Sequence, residues 1–160
     1  MANVLNVDIK GIAELQLLLL QLPKRVAKNG LRAAVYAAAK IIADEAKVKA
    51  PVYKGTVAAG HPPPGTLKRS IITKQIPEKS NDFQQTFYVT VRKGKKYQNQ
   101  GKGGNKSQDA YYAKFVEYEY GKHSSPAHPF LRPAFDVKSK DAQSAMKNKL
   151  AQRIEEEFRK

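Results

Sequence analysis

RVAKNGLRAAVYAAAKIIADEAKVK, residues 25–49, is the stretch on which the fold turns. Ala27, Leu31, Ala34, Val35, Ala38, Ile41, Ile42 and Ala46 recur at steps of three and four, which puts them on one face of an α-helix. The face is rich in alanine, so a neighbouring element can approach closely. Pro51 stops the helix, because proline lacks an N–H and disfavours helical backbone in the residue before it.

Upstream, Leu5, Val7 and Ile9 alternate with Asn6, Asp8 and Lys10, the period of a half-buried strand that Gly11 breaks. A short amphipathic helix through Leu15, Leu18, Leu19 and Leu22 is expected to stop at Pro23. Downstream, residues 51–66 (PVYKGTVAAGHPPPGT) read as a flexible loop. Leu67–Ile76 and Phe83–Arg92 then have strand chemistry, joined by PEKSND as a hairpin. In the second strand Phe83, Gln85, Phe87, Val89 and Val91 share one side, and Gln84, Thr86, Tyr88, Thr90 and Arg92 the other.

Residues 93–108 (KGKKYQNQGKGGNKSQ) form a second flexible, low-complexity tract. Ala110–Tyr120 is expected to be a short helix ending at Gly121, with Tyr112, Phe115, Val116 and Glu119 on one face. The last segment reads as a long helix, with Ala142, Met146, Leu150, Ile154 and Phe158 four residues apart. The sum is a single α+β domain over residues 1–160: an N-terminal strand, a long alanine-rich helix, an antiparallel β-hairpin and a C-terminal helix.

Catalysis finds little footing. The chain has no cysteine, which excludes disulfides, thiolate metal sites and cysteine nucleophiles. His61 sits among prolines, and His123 and His128 stand five apart across Pro126, the wrong spacing for a helical metal pair. Ser124 and Ser125 adjoin His123 without the strand–turn–helix frame that exposes a nucleophile. Glu117 and Glu119 point differently on a helix, Glu155, Glu156 and Glu157 form a solvated run, and GKGG at 101–104 lacks the Lys-Ser/Thr of a phosphate loop. No catalytic residue, cofactor or metal is expected. The longest apolar run, Leu15–Leu22, is far short of the roughly 20 residues that cross a bilayer, and the N-terminus does not read as a secretory signal. A soluble protein made in the cytoplasm, with no membrane partner, is therefore expected.

Charge is the extreme property: 29 Lys and Arg against 14 Asp and Glu, a net +15. Such a surface attracts polyanions or acidic protein faces. Residues 46–77 and 83–108 each hold six basic residues and no acid. In the second stretch Arg92, Lys93, Lys95, Lys96, Lys102 and Lys106 could face DNA phosphates without reading bases, face an acidic partner, or keep the chain soluble. PFLRPAF, residues 129–135, is the other signal. Phe130, Leu131 and Phe135 either anchor the start of the final helix in the core or dock on a neighbouring subunit, with Arg132 available for a carboxylate. Tyr112 and Phe115 join them as candidate contacts.

Three stretches taken together resemble one family. AKVKAPVYKG followed by GTLKRSI, then YYAKFVEYEYG, then SPAHPFLRPAFD are similar in kind and order to motifs of the gene-product-ten-like tail components of long-tailed phages, the head–tail joining or tail-completion proteins. The resemblance runs from about Leu31 to Phe135. It implies a non-enzymatic structural protein of the virion neck, assembled in the host cytoplasm as a ring of identical copies around the DNA channel. Its partners would be connector or head-completion proteins on one side and tail-terminator or tail-tube proteins on the other. A sequence-neutral basic DNA-binding protein is the alternative.

Overall fold

The computed structural model describes residues 17, 20, 24–55, 62–92, 110, 112–118 and 127–159. The strand expected over Leu5–Ile9, most of the helix over Leu15–Leu22 and the tract at 93–108 lie outside them. Leu17 and Leu20, off the expected apolar stripe, are helical and exposed. In chain order the elements are α1 (Lys24–Lys49), α2 (Thr66–Ser70), β1 (Ile71–Gln75), a 3-10 turn (Pro77–Lys79), β2 (Phe87–Val91), α3 (Ala113–Glu117) and α4 (Leu131–Phe158). The architecture is α+β, with both long helices where the apolar spacing puts them.

The two long helices run antiparallel. Ala27 and Ala34 near the start of α1 pack with Leu150 and Ile154 near the end of α4. Ala43, Ala46 and Ala50 at the far end of α1 share a second cluster with Phe130 and Ala134 at the start of α4. Small residues make the approach close: a Cβ on Gly30 would lie 3.5 Å from the Cβ of Arg153. Lys47 and Lys49 occupy the last turn of α1, where cations complement the negative end of the helix dipole.

β1 and β2 pair antiparallel, from Ile71 opposite Val91 to Gln75 opposite Phe87. Backbone bonds from Arg92 N–H to Ser70 O (2.8 Å) and from Ile76 N–H to Thr86 O (2.9 Å) extend the ladder at both ends. Ile71, Val91 and the half-buried Val89 pack into the second cluster, and the Phe87 ring meets Tyr36 of α1 at 5.8 Å.

Three expected elements are shorter than the sequence suggests. Leu67–Ser70 is helical instead of extended. Gly65 takes a left-handed turn (φ 76°), Thr66 donates its hydroxyl to Pro63 O (2.6 Å), and the turn so started buries Leu67. In the second strand, residues 83–86 serve the connector. The Gln85 amide acts as acceptor and donor, its Oε1 taking a 2.7 Å bond from Gln75 Nε2 and its Nε2 donating to Asn81 O at 2.5 Å, while Phe83 stays exposed. The helix expected over Ala110–Tyr120 is one turn of five residues, ending where Tyr118 turns extended (φ −124°).

Candidate functional site

The brevity of α3 has a consequence at its last residue. Glu117 is only 7 % exposed and is the one buried ionisable side chain among the described residues. Its Oε2 accepts the N–H groups of Phe130 (2.8 Å) and Leu131 (2.9 Å), and its Oε1 accepts that of Arg132 (3.0 Å). These are the first N–H groups of α4, which have no partner within their own helix. Phe130 stands at the N-cap position and supplies no side-chain cap. A carboxylate from another element takes that place, favoured also by the positive end of the helix dipole.

Two further contacts close the same joint. His128 donates its backbone N–H to Val116 O (2.8 Å), and the Arg132 guanidinium lies 5.9 Å from the centre of the Tyr118 ring. The stretches YAKFVEY (112–118) and HPFLRPAF (128–135) thus form one clamp between α3 and α4. Both Glu117 oxygens are committed to backbone N–H groups, so the side chain holds a helix instead of acting as an acid or base.

The clamp sorts the candidate contact residues. Phe130 is fully buried (0 %) in the chain's own core at the start of α4. Tyr112 and Leu131 are half-buried against that core. Phe115, Arg132 and Phe135 lie on the outside, with Phe135 44 % exposed. Tyr118, Val137 and, from the end of α1 and the residues after it, Val48, Val52 and Tyr53 are also exposed. All belong to the end of the molecule where α1 finishes and α4 begins.

The cations are arranged differently from the expectation. Lys93, Lys95, Lys96, Lys102 and Lys106 lie outside the described residues. Arg92 is half-buried and lines a groove between α1 and β1 together with Lys40, Lys47 and Lys74. Asp44 is the acid in that groove, bonded to Lys47 at 2.9 Å. Lys40 belonged to no motif in the sequence, and only the helix period could have aligned it with Lys47. Elsewhere Lys138 donates to Asp141 (2.8 Å), and Lys79 to the Tyr88 hydroxyl (2.8 Å); each bond raises its ammonium above the ordinary lysine value. Among the described residues no helix is long and apolar enough to cross a membrane, and no cluster of His, Asp or Glu could hold a metal ion.

The Glu117 clamp had a signal in the sequence: a well-marked helix beginning PFLRPAF, with no Ser, Thr, Asp or Asn directly before it, must find its cap elsewhere. Residues 13–118 match the family model described as "Bacteriophage HK97-gp10, putative tail-component". The match takes in α1, the hairpin and Glu117, and stops short of α4. No curated protein and no solved structure matches the chain.

Proposed function

Because this chain belongs to the HK97-gp10-like family of bacteriophage tail components, we propose that it is a non-enzymatic subunit joining the head connector to the tail. Identical copies close head-to-tail into a ring around the DNA channel, one surface of each copy fitting a different surface of the next. The exposed apolar side chains near the clamp carry this reading: Phe115, Tyr118, Phe135 and Val137 are large and accessible on or beside the two helices it joins. Arg132 beside them offers a planar cation for a neighbour's carboxylate. The net charge of +15 suits contact with DNA passing through the ring or with acidic faces of connector, terminator or tube proteins. The Lys/Gly tract at 93–108 serves that attraction without reading sequence, as a channel lining must.

Native mass spectrometry and negative-stain microscopy of the purified chain, alone and with its phage's connector and tail-tube proteins, test the reading. Rings or mixed complexes are expected. A monomer that joins none of these proteins overturns it, and tight, sequence-selective duplex binding at moderate salt favours a dedicated DNA-binding role.

A further inference from the structure

The groove between α1 and β1 has a built character that the tail-component reading leaves unused. Its α1 wall is a single stripe that includes Tyr36, Lys40, Asp44 and Lys47, and its opposite wall is four consecutive residues of β1, Ile71 to Lys74, with Arg92 after β2 at the Ile71 end. A groove lined by consecutive strand residues runs along a strand edge, since a sheet face would contribute every second residue. The ladder fixes which backbone groups lie on that edge. Ser70 with Arg92 and Ile76 with Thr86 are hydrogen-bonded pairs, so Ile72 and Lys74 between them turn their N–H and C=O groups toward β2. Ile71, Thr73 and Gln75 turn theirs outward. Among the described residues the sheet has two strands, and β1 has β2 as its one neighbour.

Cations flank this edge. Lys40 and Lys74 are exposed on opposite walls, and among the described residues no acid pairs with either. The floor is apolar, with Ala43 and Ile71 both buried. An edge with no further strand on it among the described residues, an apolar floor and lysines on the rim complement an extended polypeptide with carboxylates among its side chains. The groove volume of about 460 Å³ takes a few side chains, far less than a duplex.

We propose that this groove binds an extended, carboxylate-bearing segment of a neighbouring protein, which adds as a strand to the outer edge of β1. Its outward-facing backbone groups pair with those of the half-buried Thr73 and Gln75, and its carboxylates meet Lys40 and Lys74. The inference rests on the reading that the chain docks on other proteins, and names a surface for it apart from the apolar end.

A blocked short peptide of alternating glutamate and valine, titrated into the full chain by calorimetry, is the probe. Binding that weakens with added salt is expected, falling about tenfold or more in the Lys40→Glu/Lys74→Glu variant. The same peptide N-methylated at alternate residues keeps every charge but loses the donors for strand pairing, and its binding should be lost. Equal binding of the methylated peptide overturns strand addition, as does no binding of either peptide. Duplex DNA binding that the double variant abolishes, with the peptide inert, assigns the groove to phosphate and overturns the proposal too. Complex formation with connector and tail-tube proteins is read separately, so a failed groove leaves the structural role standing.

Discussion

Glu117 shows how much one side chain can govern. A buried carboxylate costs free energy unless its oxygens are satisfied, and here three backbone N–H groups satisfy them. Removing it strands those donors at a helix start in the core. Glu117→Ala should destabilise the fold by about 2–5 kcal/mol, and Glu117→Gln by roughly half as much, because the amide keeps one acceptor but loses the charge. Urea denaturation followed by circular dichroism measures both; a loss under about 0.5 kcal/mol in Glu117→Ala would remove the clamp from the account. Phe130 and Phe135, five residues apart, should separate in the same assay. Phe130→Ala opens a cavity in the core and should cost about 3–5 kcal/mol. Phe135→Ala lies at the surface and should change stability by under about 1 kcal/mol while impairing assembly with neighbours.

Among the elements, the α1–α4 pair rests on small side chains more than large ones. Ala27, Gly30 and Ala34 let α4 come close enough for Leu150 and Ile154 to cover them. An alanine methyl at Gly30 meets neighbours at ordinary contact distance and reduces the freedom of the unfolded chain. Gly30→Ala should therefore stabilise the protein by about 0.5–1 kcal/mol. Gly30→Leu has no such room and should destabilise by about 1–3 kcal/mol as the helices separate. Thermal melts of the two variants should move in opposite directions; a shared direction would mean that the helices are not closely apposed at this point.

For the whole molecule, charge and shape act on different parts. Phe115, Tyr118, Phe135 and Val137 are exposed near the start of α4, whereas the cationic groove lies along β1. A chain of net charge +15 repels its own copies, so assembly should strengthen when salt or a polyanion screens that charge. Replacing Lys93, Lys95, Lys96, Lys102 and Lys106 by serine should leave the melting temperature unchanged and flatten the salt dependence of DNA association. A salt dependence equal to that of the unaltered chain, measured by gel shift, would leave those lysines a solubilising role alone.

The period of alanines over residues 25–49 and the fourfold spacing from Ala142 to Ile154 marked both long helices, because a helix face repeats every 3.6 residues whatever it packs against. The alternation from Phe87 to Val91 marked a strand for the same local reason. The ends of the short elements were not local. Gly65 and the Thr66 hydroxyl turned four strand-like residues into α2, and the bonds of Gln85 shortened β2. The sites were less legible still. The cap of α4 comes from a residue thirteen positions earlier, and the groove joins lysines from α1 and β1. Periodicity and composition belong to the chain alone, and they determined helices, hairpin and charge. Which carboxylate meets which N–H, and which lysines share a groove, depend on distances across the chain, and only packing decided them.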